Sequence, residues 1–407
     1  MPMRPFNEKK SAGLSSEILK VLARISPERN LRSDTLVQAV VNLSRLFTTA
    51  RPSLPPRYLD DPAHAAAYLS YFLPVNLSKV QVLLDELPND IIQETPDRPM
   101  AMLDLGCGPG TGSVALLDWL WHRSPERAKS VSVLAADASQ TSLEDAKRLW
   151  EAYCKEVGIP NAGLRCVEGN LEHPLKGDLG KQIMRGGPYN LIIMANCLNE
   201  LFPTSVDPSA ERAAVVAQLL PFLAPHGTIM IVEPASRQTA RALHQMRNYL
   251  LKQNLCTVYS PCLHEGACPA LDHRDDWCHE ERPWQTPPAI AALDQEVGFI
   301  KDALKFSYLL LRTDGRTIVT RSSKTFRVVS ELRELKGEKR AWLCNETGRP
   351  DVGRLDRKAS SQNVAVDSWH RGAIVQIERI VRKEREGKIS PVGRIESDVA
   401  VQIIRPV

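Results

Sequence analysis

The string Leu103-Asp104-Leu105-Gly106-Cys107-Gly108-Pro109-Gly110-Thr111-Gly112 follows an apolar run and opens a helical pattern, and it constrains the fold more than any other stretch. Glycines at those places let the backbone turn tightly and bring its N–H groups against a ligand at a helix N-terminus. Asp104 ends the strand before the loop, and Asp137 closes the next apolar run, Val131 to Ala136. A carboxylate at that second position can accept both hydroxyls of a ribose. Further short apolar runs follow: Leu164 to Val167, Tyr189 to Met194, Thr228 to Val232 and, as a late strand, Phe306 to Arg312. They alternate with helical stretches from Thr111, at Leu143 to Val157, Ala210 to Leu223, Ser236 to Asn254 and Ala289 to Leu304. This alternation predicts an α/β fold with a mostly parallel, doubly wound sheet.

The flanks read differently. Between residues 15 and 87, apolar positions recur at three-to-four spacing (Ile18, Leu19, Leu22, Ile25; Leu36, Val40, Leu43, Leu46), which predicts an N-terminal helical region. Asp61-Pro62 supplies a cap and a first-turn proline for Ala63 to Phe72; Pro74 is expected to stop that helix, and Arg51 to Pro56 to form a joint. Leu255 to Pro288, rich in cysteine and proline, is expected to be irregular. Phe326 to Leu332, Arg340 to Cys344, Asn363 to Trp369 and Ala373 to Val381 read as strands of a small C-terminal β-barrel, OB-like in type. The 407 residues therefore divide into a helical region (1–95), an α/β domain (96–312, with a cysteine-rich insertion at 255–288) and a barrel-like domain (313–407).

The formal charge of +4 conceals a segregation. From Lys305 to Val407 there are 22 Lys and Arg against 13 Asp and Glu, whereas residues 1–304 carry 30 against 35. A basic terminal region of that size suits a polyanion, because neutralised phosphates release counterions; a solvated basic face without a partner has the same composition. No apolar stretch reaches the ~18 residues of a membrane span, and the nine cysteines of so long a chain imply a reducing compartment rather than a disulfide framework.

Two further groups bear on chemistry. After the fourth strand, Asn196, Asn199 and Glu200 stand where an open α/β sheet places its functional side chains, although a helix cap and first turn would use the same residue types. Glu233 has the corresponding place after the fifth strand, and no catalytic base stands out. Cys262, Cys268 and Cys278 lie among prolines, histidines and acids, and Cys344 follows after 65 intervening residues. Thiolates on irregular backbone can converge on one ion or cluster. His264, His273 and His279 keep a zinc site open, while the missing CxxC pairs favour an iron-sulfur cluster. Cys107, Cys154, Cys166, Cys197 and Cys256 fall in or beside apolar elements, as packing residues do.

The DLGCGPGTG string with its second-strand acid resembles the cofactor loop of the class I S-adenosylmethionine-dependent methyltransferases. That resemblance makes Asp104, Gly106, Gly108 and Gly110 cofactor-loop residues and Asp137 the ribose ligand, with Asn170 on the adenine side. Tyr68-Leu69-Ser70-Tyr71-Phe72-Leu73-Pro74, Asn199-Glu200-Leu201, Ser260-Pro261-Cys262-Leu263-His264 and Asp276-Trp277-Cys278-His279 add a narrower likeness. Together with the loop they resemble the methyltransferase-like protein family of the mitochondrial small ribosomal subunit, which has bacterial members, over roughly residues 60–345. The family resemblance implies a class I methyltransferase sheet and an assembly factor that binds small-subunit ribosomal RNA on assembly intermediates. It also implies a four-cysteine iron-sulfur cluster, 4Fe–4S in type, with Cys262, Cys268, Cys278 and Cys344 as ligands. Methyl transfer to that RNA and a non-catalytic scaffold are both compatible with it; a zinc-stapled methyltransferase of a non-RNA substrate ranks below them. DNA and membrane partners are not expected. Glu8 and Glu17 argue against an acid-free transit peptide, which favours a bacterial cytoplasm over the mitochondrial matrix.

Overall fold

The computed structural model describes residues 13–25, 33–88, 99–161, 163–385 and 388–406, so Glu8 lies outside the described residues. Eight strands form the first sheet: β1 (Ala101–Leu105), β2 (Ser132–Asp137), β3 (Leu164–Glu168), β4 (Tyr189–Ala195), β5 (Leu223–Pro234), β6 (Thr257–Ser260), β7 (Glu280–Pro283) and β8 (Ala303–Arg312). Their order is β3-β2-β1-β4-β5-β8-β6, with β7 paired to β8. β1 to β5 are parallel, and β8 runs antiparallel to both β5 and β6. The doubly wound expectation holds. The chain reverses its winding direction between β1 and β4, and such a switch point leaves a crevice beyond the strands' carboxyl ends.

Period-2 geometry sends neighbouring residues of β4 to opposite faces. Leu191 and Ile193 join a core with the N-terminal helices and the helix Thr111–Arg123, whereas Ile192 and Met194 join one with helices Gly177–Gly186, Pro208–Leu219 and Arg237–Lys252. The sheet is thus covered on both sides, as its near-continuous apolar strands require.

The N-terminal region is helical, with Ser16–Ile25, Ser33–Phe47 and Pro62–Ala67, the last capped by Asp61, whose carboxylate accepts the His64 N–H at 2.9 Å. Pro74 does not stop the chain. A π-helical turn, Tyr68–Phe72, leads into the helix Leu73–Leu84, where Pro74 falls in the first turn and its missing N–H costs little. Residues 255–288 are also more regular than expected, because β6, β7 and a 3-10 turn at Pro269–Leu271 hold them against the sheet. The helix read as Ala289 to Leu304 ends at Val297, where Gly298 adopts φ +71, and β8 begins at Ala303.

The expected C-terminal barrel is a second sheet without closure. β9 (Thr325–Val328), β10 (Arg333–Leu335), β11 (Glu338–Cys344), β12 (Asp351–Leu355), β13 (Ile374–Ile377), β14 (Val381–Arg385), β15 (Lys388–Ile395) and β16 (Val401–Arg405) follow the order β14-β15-β12-β11-β9-β13-β16, with β10 on β11. Among the described residues, the end strands β14 and β16 do not pair. Alternating hydrophobicity reveals a covered face, here packed on Phe326, Val328, Leu343 and Trp369, but carries no information about edge pairing. Asn363 to Trp369 is no strand. Asn363 is fully buried and donates to the carbonyls of Lys358 and Glu396, which ties down a turn that continues into a 3-10 segment, Val364–Ser368.

Candidate functional site

The glycine loop lies at the switch point. Gly106, Gly108 and Gly110 take φ of +69°, +51° and +88°, in the left-handed region that disfavours side chains. A Cβ on Gly106 would collide with Cys197, and one on Gly112 would stand 2.9 Å from the Asp104 carboxylate, whereas one on Gly108 would meet nothing within 4 Å. The loop is therefore packed on its inner side and open at Gly108. Asp104 is buried and accepts the Ser113 hydroxyl at 2.7 Å; burial pushes its carboxyl up to about 6 despite that bond. Asp137 accepts the N–H groups of Gly108 (2.9 Å) and Ser139 (3.0 Å), so this acid is oriented by the loop itself. Asn170 stands exposed just past β3, with its side-chain oxygen on the N–H of Glu172.

Beyond β4 and β5 lie the other candidates. Asn196 adopts φ +59 and gives its N–H to Val232, which asparagine tolerates better than most residues. Asn199 and Glu200 sit in a 3-10 turn, Leu198–Glu200, held from below by Arg212, which donates to the carbonyls of Asn199 and Leu201. Glu233, 2% exposed, accepts the backbone N–H of Asn199 at 3.3 Å, while its Oε2 and both polar atoms of the Asn199 side chain make no well-formed hydrogen bond. Buried polar atoms in that state mark a place where a ligand can bond. Burial pushes Glu200 and Glu233 each up to about 7, against the pull of Arg51. Arg51, Tyr58 and Tyr68, from the N-terminal region, adjoin Glu200; the sequence placed Arg51 in a joint and Tyr68 in the family motif, and only chain topology brings them to the site.

These shifts have a consequence for stability. As pH rises from the ordinary value of 4.5, the unfolded chain releases the Glu233 proton first, and the folded chain retains it to about 7. Stability should therefore fall across that window and level off above it. Glu233→Gln is expected to give a shallower slope in denaturation midpoints measured across the window; an unchanged slope would contradict the burial of that carboxyl.

The four cysteines come together. Cys262, Cys268, Cys278 and Cys344 line one cavity of about 40 Å³, with Cys344 on β11 of the second sheet and the others between β6 and β7 of the first. Burial, and then Cys268, Cys262 and Cys344, push the Cys278 thiol far up, and burial followed by Cys262 pushes Cys268 up to about 11. His264 Nε2 lies 3.7 Å from the Cys344 sulfur. Among the described residues, no three His, Cys, Asp or Glu side chains are grouped so as to hold a metal ion.

One face of the helix Arg237–Lys252 braces these loops. Arg241 donates to the carbonyls of Ala270, His273 and Asp276; His244 contacts the Cys278 carbonyl at 3.2 Å; Arg247, fully buried, donates to the carbonyls of His264 and Gly266. Asn248 accepts the Cys268 N–H at 3.2 Å. The spacing of Arg241, His244, Arg247 and Asn248 on one helical face was a signal available in the sequence.

Beside the cavity lies a buried ionic junction. Arg327 on β9 donates to Glu280 on β7 (2.8 Å) and to the Tyr308 hydroxyl on β8 (2.8 Å). Arg282 donates to Glu86 (2.6 Å), just after the helix Leu73–Leu84, and Ser260 and Tyr308 also donate to Glu86. All four charged side chains are less than a tenth exposed. Three regions of the chain thus meet in one charge network.

The basic excess after residue 304 is partly internal. Arg327, Arg340 and Arg354 are buried, and Arg333–Asp351, Lys339–Asp367, Arg354–Asp367 and Lys358–Glu396 are ion pairs, while Lys324, Lys336, Arg357 and Lys383 are exposed. Among the described residues, no helix is long and apolar enough to cross a membrane.

Fold and site together define a doubly wound α/β domain with a glycine-loop cleft and a four-cysteine seam to a second sheet. The model of the mitochondrial small ribosomal subunit Rsm22 family matches residues 62–352, a span that includes the loop and all four cysteines, and the chain belongs to that family. No curated protein matches it. Among solved structures, it is similar to the CcbJ methyltransferase from Streptomyces caelestis (21% identity, 39% of this chain and 52% of that one, TM-score 0.26), so it spans about half the length of that protein. It is also similar to CrArsM, an arsenic(III) S-adenosylmethionine methyltransferase from Chlamydomonas reinhardtii (15%, 66% and 85%, 0.30). A third is the magnesium protoporphyrin IX methyltransferase ChlM from Synechocystis PCC 6803, solved with its cofactor bound (12%, 67% and 96%, 0.34).

Proposed function

We propose that the protein binds small-subunit ribosomal RNA on an assembly intermediate, that its glycine-loop cleft takes S-adenosylmethionine to methylate that RNA, and that Cys262, Cys268, Cys278 and Cys344 hold a 4Fe–4S cluster. The observation that carries the reading is the convergence of those cysteines on one cavity between the two sheets. Burial and the neighbouring sulfurs oppose the ionisation of Cys268, Cys278 and Cys344, and with Cys262 on the same cavity they form a donor set that suits a cationic centre. Zinc grips its ligands at ~2.0–2.3 Å and draws them tightly together; among the described residues no three such ligands stand that close, so thiols spread over the walls of one cavity suit a cluster better. When bound, the cluster supplies four iron–sulfur bonds that cross-link the sheets. Arg349 and Arg371 line the cavity, and Arg247 and Arg349 bring positive charge to the Cys268 thiol.

In the cleft, Asp104, Gly106, Gly108 and Gly110 would hold the methionine end, Asp137 the ribose and Asn170 the adenine side, with Asn196, Asn199, Glu200 and Glu233 beside the acceptor. The divisions 1–95, 96–312 and 313–407 then act as cover, cofactor domain and RNA-facing domain. A bacterial cytoplasm, or the mitochondrial matrix for an organellar member, is the setting. The second reading is a scaffold that binds RNA without methyl transfer.

Labelled S-adenosylmethionine is expected to transfer its methyl group to small-subunit pre-ribosomal RNA. Gly106→Ala, which forces a Cβ into Cys197 at a positive φ, should abolish that transfer. Absence of transfer to every assembly intermediate would overturn the enzymatic part and leave the scaffold.

A further inference from the structure

The stretch from Arg51 to Asp60 is fastened at the carboxyl ends of three strands of the first sheet. Arg51 pairs with Glu200 beyond β4 at 3.7 Å, Arg57 with Glu168 at the end of β3 at 3.1 Å, and Asp60 accepts the hydroxyl of Ser139 just past β2. Since the strands there run in the order β3-β2-β1-β4, chain spanning those ends passes over the end of β1, where the glycine loop begins. Tyr58 lies between the fastenings, its ring edge-on to Phe47 at 5.3 Å and its phenol within electrostatic reach of Asp137 and Glu200.

The cleft beneath is rich in acids: Asp104, Asp137, Glu200 and Glu233. Among the described residues, the guanidinium groups of Arg51 and Arg212 both act on Glu233. Arg212 is committed to the carbonyls of Asn199 and Leu201. Arg51 gives Nη1 to the Phe47 carbonyl at 3.4 Å, but its buried Nη2 has no hydrogen-bond acceptor, the Glu200 oxygen at 3.7 Å being too far. S-adenosylmethionine brings two cationic groups, the sulfonium and the α-ammonium, which suit acids, and one carboxylate, which acids repel.

We infer that Arg51 binds the amino-acid carboxylate of the cofactor, so that residues 51–60 form a wall of the cofactor site rather than a linker; this rests on the S-adenosylmethionine reading above. A guanidinium matches a carboxylate through parallel N–H···O bonds, a geometry lysine cannot reproduce. The fastening of Arg57 and Asp60 at the ends of β3 and β2 holds the stretch at the sheet's carboxyl edge, with Arg51 beside Glu200 and Glu233.

Titration calorimetry of the full chain with S-adenosylhomocysteine and with 5′-methylthioadenosine, which has the nucleoside and thioether but no amino-acid part, tests this. Arg51→Ala is expected to weaken S-adenosylhomocysteine about 10- to 100-fold and to leave methylthioadenosine unchanged, which also shows that the variant is folded. Arg51→Lys should give an intermediate loss for S-adenosylhomocysteine alone. If the unaltered protein binds both probes and Arg51→Ala weakens neither, or weakens both alike, the assignment of Arg51 is wrong and the cofactor reading stands. If the unaltered protein binds neither, the cofactor reading fails and the assignment with it.

Discussion

Arg327→Met is expected to cost about 3–5 kcal/mol of stability, the range for breaking a buried ion pair by removing one partner. The methionine fills much of the same space, so the loss comes from charge. Glu280 and Glu86 would remain buried with Arg282 as their remaining guanidinium partner, and Tyr308 would lose a donor at 2.8 Å. Burial by itself would raise the Glu86 carboxyl, but Arg327 and Arg282 outweigh it and hold the group below its ordinary 4.5. The stabilisation from that carboxylate is therefore present above pH 4.5 and lost as pH falls through the lowered folded value. Denaturant midpoints should show the loss at neutral pH, with limited proteolysis freeing the C-terminal sheet. Combining Arg327→Met with Glu280→Gln should recover part of it, because the stranded charge is then removed. A midpoint unchanged by Arg327→Met would mean that the junction does not join the two sheets.

Cys344→Ser carries the other large effect. Its sulfur is the one member of the quartet supplied by the second sheet, so with the proposed cluster the substitution should leave three ligands on the first sheet and no covalent link between them and β11. Loss of an outer partner alone costs ~10–100-fold in metal affinity, and loss of a ligand should exceed that. Iron retention should collapse, and the segment after residue 312 should become protease-sensitive. Serine is nearly isosteric, so packing alone would not produce this. Cys154→Ser, a buried helical cysteine outside the cavity, is the matched control and should keep its iron. Equal iron in the two variants would remove Cys344 from the ligand set.

The parallel sheet and its cleft were legible because their signals are local. Apolar runs such as Tyr189 to Met194 encode a strand buried on both faces, and Gly106, Gly108 and Gly110 encode positive φ directly. Pro74 misled because a wide turn upstream changed which N–H the helix needed. The barrel expectation was not met for another reason: closure needs β14 to pair with β16, which it does not among the described residues, and periodicity says nothing about which strands become edges. Likewise, the meeting of Arg51 with Glu200, or of Glu86 with Arg282, depends on long-range topology. Cys262, Cys268 and Cys278 were legible by their setting among prolines, histidines and acids, and Cys344 joined them through the family resemblance. That one cavity gathers them, with Arg247 as the buried brace behind their loop, is a property of the folded chain.

The most direct measurement is the iron, acid-labile sulfide and zinc content of the unaltered protein purified without oxygen, together with its visible absorption. A brown protein with about four irons and four sulfides per chain, held through extensive dialysis, is the expected result. A colourless protein that carries stoichiometric zinc, or no metal at all, would contradict a cluster at the seam of the two sheets.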